Sequence, residues 1–484
     1  MVPAFKSPAE LMVETTIGMN LLTIDVWDNL PILAAATETE SADSALVLAG
    51  VLLSLVAIYF TSKLGGEICY RFNLPPVLGE LLGGVAVGVS ALKLLVFPEG
   101  GADATDSLLM QFLTATSALT PEGAQSVFIA QSEVISVLSE LGVIILLFEI
   151  GLESDLKELI RVGPQAAVVA VVGVVTPFAL GTGGLVYLFN IPVIPAVFAG
   201  AALTATSIGI TAKVLSEIDR LNSTEGQIII GAAVLDDVLG IIVLAVVASL
   251  VKTGEIEIGN VIYLIISAGV FLIGAILLGR FLTPFFIGLV NSLKTRGQLL
   301  LASLIFAYIL SYIAQVIQLE AILGAFAAGL VLAETEKREE LEKQIIPVAD
   351  IFVPIFFVCV GAKTDVSVLN PAIPSNREGL SLAAFLIVVA IIGKVVTGWS
   401  VFGQPGINRL AIGIGMIPRG EVGLVFLGVG SASGALSKPT EAAIVMMVIT
   451  TTFLAPPLLR VVFGSSDAEV VEGATEAVET APKQ

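Results

Sequence analysis

Apolar residues dominate this chain in stretches of about 18 or more, separated by short polar turns. Such stretches read as membrane-spanning helices. Their continuous apolarity excludes a transmembrane barrel, which alternates apolar and polar positions. The pattern predicts an all-α polytopic membrane protein of about 13 spans. They fall near 45–65, 75–92, 133–153, 163–189, 192–215, 224–250, 258–288, 296–317, 320–334, 347–365, 379–402, 408–432 and 438–463.

Two of these spans read alike. "ELGVIILLFEIGLESDL" (140–156) and "DIFVPIFFVCVGAKTDV" (350–366) repeat an acid, a glycine and an aspartate at a constant offset of 210. The matched pairs are Glu140/Asp350, Gly151/Gly361 and Asp155/Asp365. "VLGELLGG" in the second span resembles "ILGAFAAG" in the ninth, with Gly79 matching Gly324. Matched spans lie seven apart, and orientation reverses with every span, so the two halves are predicted to be inverted. Inverted-repeat transporters place their ion site near the midplane, where two discontinuous helices cross. Repeat 1 is predicted over about 45–250, a linker helix over about 258–288 and repeat 2 over about 296–463. Residues 1–44 form an N-terminal extension with an amphipathic, interfacial stretch from Leu11 to Trp27, and no cleaved signal is expected. Residues 464–484 form an acidic tail.

The fifth and twelfth spans are the pair expected to break. "ALTATSIGITAK" (202–213) carries Thr204, Thr206, Ser207 and Gly209, a polar patch of weak helix formers. Its hydroxyls and freed carbonyls are hard oxygen donors suited to a small cation; the alternative is that the hydroxyls only bond back one turn. "GIGMIPRGEVGLVF" (413–426) carries Pro418 between glycines, flanked by Arg419 and Glu421. A break exposes carbonyls on one half-helix and N–H groups on the other, and Arg419 and Glu421 could compensate those half-dipoles. In the purely structural reading, Arg419 pairs with a buried acid such as Glu80 and braces the fold.

The sixth span, "AAVLDDVLGIIVLAVV" (232–247), places Asp236 and Asp237 side by side in an apolar run. Intramembrane ionisable residues are costly and functional by default. Neighbours on a helix point about 100° apart, so the two carboxylates need not share a partner. Lys394, in "VVAIIGKVVTGW" of the eleventh span, supplies a fixed positive charge for one of them. The other must bind a proton or a metal cation, because a bare carboxylate removed from water is strongly disfavoured. A group that binds either, but not both, is the physical core of exchange.

Composition narrows the chemistry. The chain is 56% hydrophobic, 13% charged and free of histidine, so proton transfer falls to carboxylates, lysine, hydroxyls or water. The net charge of −19 sits mostly in the ends and between Glu99 and Glu122, which are solvated segments, and implies no nucleic-acid partner. Cys69 and Cys359 are isolated, giving neither a disulfide framework nor metal spacing. If the connection after the first span is cytoplasmic, fifteen of the 23 Lys and Arg residues fall on that side and six on the other. Lys394 and Arg419 lie inside spans. The bias predicts the N-terminus outside and the C-terminus in the cytoplasm.

"GAAVLDDVLG", "TATS", Lys394 and "GMIPRGEVGLVF" together resemble the monovalent cation:proton antiporter superfamily, and within it the NapA-type bacterial Na⁺/H⁺ antiporters, over roughly 45–463. The resemblance implies the Na⁺/H⁺ antiporter fold, a mobile core domain, a dimerisation domain built from the first half of each repeat, and a homodimer. It implies that Asp237 is the main cation and proton site, that Asp236 pairs with Lys394, and that Thr204 and Thr206 line the crossing. Na⁺ would bind at Asp237 with Asp236 and Thr206. It implies no cofactor beyond transported Na⁺ and H⁺, residence in a bacterial inner or internal membrane, and electrogenic exchange. A K⁺/H⁺ antiporter and a cation channel are the competing functions. An intramembrane aspartyl protease is disfavoured, because its carboxylates must face each other across a water.

Overall fold

The computed structural model describes residues 44–479 apart from 99–100, 118, 254–257, 293–294 and 367–373. The N-terminal extension expected over residues 1–44, with its interfacial stretch from Leu11 to Trp27, therefore lies outside the described residues except for Ser44. All regular structure among the described residues is helical: α1 (Ser44–Arg71), α2 (Pro76–Val87), α3 (Leu108–Ser117), α4 (Pro121–Glu153), α5 (Leu156–Phe189), α6 (Val193–Ala202), α7 (Ile208–Glu217), α8 (Thr224–Thr253), α9 (Ile258–Ser292), α10 (Gln298–Val316), α11 (Ala321–Ala333), α12 (Arg338–Ala362), α13 (Pro374–Val395), α14 (Arg409–Gly415), α15 (Glu421–Ala432) and α16 (Lys438–Glu479). Among the described residues, eight helices are long and apolar enough to cross a membrane by length and composition. Two expected spans are each split in two, α6/α7 and α14/α15.

Boundaries differ from expectation where polar sequence still favours a helix. The span expected from 133 starts at Pro121, the proline-tolerant first position, with Thr120 capping the Gly123 N–H at 3.1 Å. At 33 residues α4 is about 50 Å long, against a hydrocarbon core of about 30 Å. Its first turns therefore project beyond the apolar slab. There they pack with α3, Val96 and Ala104 into a small core that includes Met110 and Phe128. The C-terminal tail continues α16 to Glu479 despite Gly464 and Gly473, its Ala and Glu residues being good helix formers.

The inverted repeat is visible contact by contact. The turn after α1 has Asn73 at φ 57°, with Leu74 N–H bonded to Cys69 O at 2.9 Å. The turn after α10 has Gln318 at φ 65°, with Leu319 N–H bonded to Ala314 O at 2.9 Å. This is one Schellman turn built twice, 245 residues apart. A Cβ on Gly79 would meet Gly65 O at 2.0 Å, and one on Gly324 would meet Leu310 O at 2.3 Å, in the same register. Across the halves, Gly151 abuts Phe326 O and Gly361 abuts Leu81 O, again as matched partners. The offset is 245 in the first two helices of each repeat and 210 in the third. The acidic segment before α4 is therefore an insertion of 35 residues in the first repeat alone.

Helices group by their packing. α1, α2, α4, α10, α11 and α12 pack chiefly on one another. α5–α8 and α13–α16 form a second group around a core of Phe198, Leu203, Leu386, Phe426 and Met447. α9 touches α8, α10 and α11, and α7 meets α2 and α4 along the seam between the groups.

Candidate ion-binding site

The two broken spans cross in the second group. The first break runs from Leu203 to Ser207, where hydroxyl and β-branched residues hold a helix weakly. The second runs from Met416 to Gly420, where Pro418 lacks an N–H. A break strands carbonyls that lipid cannot satisfy, and here each span serves the other. Arg419 Nη1 donates to Ala205 O at 2.5 Å and Thr204 O at 3.4 Å. The Thr206 hydroxyl donates to Met416 O at 3.2 Å, and the Thr211 hydroxyl to Gly415 O at 2.9 Å. Ser207 N–H reaches Pro418 O at 2.8 Å. Thr204 bonds back to Ala201 O at 2.8 Å, so of the three residues singled out in the first break it alone follows the local capping alternative.

Arg419 does not pair with Glu80. Its guanidinium is fully buried at the crossing, whereas Glu80 accepts from Ser62 at 2.9 Å and faces Lys213 and Lys63. Arg419 thus compensates stranded carbonyls rather than forming the alternative ion pair, because α2 carries Glu80 in the other helix group. Glu421 opens α15, and its side chain lies outside the described residues.

Lys394 Nζ donates to Asp236 Oδ2 at 3.0 Å, with both side chains fully buried. The lysine stands in the last turn of α13, where the negative end of the helix dipole favours a cation. Gly173 of α5 makes room for it: an added Cβ would lie 3.2 Å from Nζ. Asp236 also faces Arg419 and keeps Oδ1 without a hydrogen-bond partner. Asp237, about 100° further round α8, is 3% exposed and within electrostatic reach of Lys394. The crossing thus gathers two acids, two bases, the Thr206 hydroxyl and main-chain oxygens in a water-poor region. Among the described residues, no group of three or more Asp, Glu, His or Cys side chains is placed to hold a metal ion. A cation here would rely on one or two carboxylates with hydroxyl and main-chain oxygens.

Sequence reasoning missed three contributors. Thr211 and Thr452 each donate to a stranded carbonyl, the latter to Arg419 O at 2.6 Å. Gly173 accommodates the lysine. Of these three, only Thr211 carried a sequence signal, standing one turn after Ser207 in the same polar patch. Gly420, one of the glycines flanking Pro418, leaves space for Ser207 Oγ, which would lie 2.9 Å from an added Cβ.

Comparison with known proteins agrees in one direction. Residues 47–463 match the family described as sodium/hydrogen exchanger, transmembrane. The chain is 72% identical over 451 residues to the high-affinity Na⁺/H⁺ antiporter NhaS3 of Synechocystis sp., covering 93% of this chain and 97% of that protein. It is 31% identical to the Na⁺/H⁺-K⁺ antiporter GerN of Bacillus cereus, covering 85% of this chain and 96% of the other. In fold it is similar to the sodium proton antiporter MjNhaP1 of Methanocaldococcus jannaschii, with a TM-score of 0.58 at 17% identity over 87% of this chain and 98% of that one.

Proposed function

Because the chain belongs to the transmembrane sodium/hydrogen exchanger family, we propose that it exchanges Na⁺ for protons by alternating access, with Asp237 as the carboxylate that takes either cargo. The observation that carries this reading is the buried Asp236–Asp237 pair beside two crossed half-helix breaks, with Asp236 already engaged by Lys394. Asp237 would bind Na⁺ together with Asp236 Oδ1 and the Thr206 oxygen. A proton on Asp237 removes the charge that holds the cation, so the two cargoes compete.

An electrogenic cycle would need more than one proton per Na⁺. Asp236 and Asp237 balance Lys394 and Arg419 at the crossing. Binding either one Na⁺ or one proton at Asp237 adds the same charge, so a single-proton cycle moves none. A second proton must come from another buried group, and Lys394 is the one placed to release it when Na⁺ engages Asp236. Alternating access assigns the moving part to α5–α8 and α13–α16, sliding against the group that contains α1, α2 and α4. On this reading the latter group holds a homodimer together, and α1 offers Leu52, Val56 and Phe60 on an exposed face for lipid or a second copy. Arg460 reaches Asn73 at 2.6 Å and Arg338 reaches Glu153 O at 2.8 Å, which gathers basic helix ends on one face. That face is the cytoplasmic one on the positive-inside rule.

The test uses sealed proteoliposomes with an internal pH dye, an acid interior and clamped membrane potential. External NaCl should alkalinise the interior of wild-type vesicles rapidly, and Asp237→Asn should abolish the response while the purified variant unfolds at an unchanged temperature. Full flux in Asp237→Asn would remove Asp237 from the site. Na⁺ uptake without alkalinisation would favour a channel, and a response to KCl equal to that with NaCl would favour K⁺/H⁺ exchange.

A further inference from the structure

Lys394 has more hydrogen-bonding capacity than its partner uses. Its ammonium carries three N–H donors and no acceptor. Among the described residues one donor is taken, by Asp236 Oδ2 at 3.0 Å. The side chain is fully buried, where donors are almost always partnered. A second acceptor is therefore to be sought in the walls around it.

The wall nearest the nitrogen is α5 at Gly173, where an added Cβ would lie 3.2 Å from Nζ. Four residues further along the same helix stands Pro177. A proline has no N–H for the carbonyl four residues before it, so Pro177 deprives Gly173 O of its helical donor. Both residues are buried, and neither lipid nor apolar side chains can supply a donor there. The approach of the two helices at this level is close: a Cβ on Gly393, the residue before Lys394, would lie 2.9 Å from Pro177 Cβ. Thr397, one turn after the lysine, does not take the place. Its hydroxyl donates to Lys394 O at 2.6 Å, and its methyl is the part turned to Gly173. A stranded carbonyl and a donor with capacity to spare thus stand side by side next to the Asp236–Lys394 pair.

We propose that the Gly173 carbonyl is a second acceptor for Lys394, and that Pro177 is the positioning residue that frees it. When Na⁺ engages Asp236, the lysine nitrogen turns to Gly173 O, and as ammonium or amine it still has an N–H to donate. An exchange of partners is far cheaper than leaving a buried donor unpaired. α5 and α13 pack on each other within one helix group, so the acceptor stays with the lysine whichever face the site opens to. The proposal rests on the exchange reading above and on Lys394, but not on which carboxylate carries the cation.

The experiment restores the missing donor. Pro177→Ala returns an N–H to Gly173 O and removes a proline from a helix interior, so the unfolding temperature should hold or rise. The Na⁺ concentration for half-maximal exchange, read with an internal pH dye in proteoliposomes, should nevertheless rise severalfold. Pro164→Ala, at an exposed position of the same helix, should leave it at the wild-type value. Unchanged or higher stability with weaker Na⁺ use separates positioning from loosened packing. Pro177→Val, which keeps more side chain against Gly393, replaces Pro177→Ala if the latter does not fold. In a Lys394→Met background, adding Pro177→Ala should change nothing further. Where that background does not transport, the Na⁺-induced rise in unfolding temperature supplies the same comparison. A wild-type half-maximal concentration in Pro177→Ala, or an equal rise with and without the lysine, overturns the second acceptor. Exchange persisting in Asp237→Asn would overturn the central assignment alone.

Discussion

At the scale of single residues, the Asp236–Lys394 pair makes the sharpest energetic claim. Both groups are fully buried and 3.0 Å apart. Removing one partner of such a pair leaves an uncompensated charge, at a cost of about 3–5 kcal/mol. Lys394→Met should therefore destabilise the purified protein strongly, and Asp236→Asn/Lys394→Met should recover much of the loss, a coupling read from a double-mutant cycle of thermal unfolding. If the losses simply add, the pair does not stabilise the fold. Where Lys394→Met still transports, Na⁺-driven pH change should become independent of membrane potential, because the second proton carrier is gone. An unchanged response to an imposed potential would exclude Lys394 from carrying charge. These residues were legible in the sequence because charges in apolar runs are rare and need a reason. Sequence could not choose between the two readings of Arg419, compensation at a break and pairing with Glu80, because it does not reveal which helix group a buried acid belongs to. Arg419 in fact meets carbonyls exposed by a break in another span.

At the scale of elements, hydroxyls close the two breaks. Thr206→Val keeps shape but leaves Met416 O without its donor, at about 1–3 kcal/mol for a buried carbonyl. It should lower the unfolding temperature and raise the Na⁺ concentration for half-maximal exchange. A change in stability alone would make Thr206 a structural strut. The glycine contacts of the repeat give a second expectation. Gly151→Leu must displace the backbone of α11, since even a Cβ would lie 2.3 Å from Phe326 O. Gly269→Leu, where a Cβ meets nothing within 4 Å, is the matched control. Only the first should fail to yield folded protein on size-exclusion chromatography. The broken spans could be read ahead of the structure because Pro418 and the Thr-rich patch weaken helices locally. The 12-residue α2 and 13-residue α11 are shorter than hydropathy suggested, because Schellman turns and tight glycine packing, rather than hydropathy, set their limits.

At the scale of the whole molecule, the proposed exchange would join the central carboxylate to relative movement of the two helix groups. The inverted repeat could be anticipated from Gly79/Gly324 and Gly151/Gly361, but the grouping followed only from the family resemblance, not from spacing or hydropathy. Which helices pack together is set by contacts hundreds of residues apart. The insertion before α4 obscured the repeat further by changing the offset from 245 to 210. If Na⁺ and a proton compete for Asp237, the pH dependence has a definite sign. A proton bound to the carboxylate excludes Na⁺, so lowering pH raises the Na⁺ concentration for half-maximal exchange. Linkage sets the steepness: release of one proton per bound Na⁺ gives about a tenfold rise per pH unit on the acid limb, and release of two gives about a hundredfold. Maximal rates at saturating Na⁺ should fall far less than apparent affinity, because excess cation outcompetes the proton. The measurement is initial dye response against NaCl at several pH values equal on both sides, with Na⁺ uptake by tracer as the parallel readout. A half-maximal concentration independent of pH would mean that the two cargoes use separate sites, and the single-carboxylate mechanism would fall with it. A slope steeper than one proton would place a second titrating group on the Na⁺-bound path. Loss of the excess slope in Lys394→Met would identify that group.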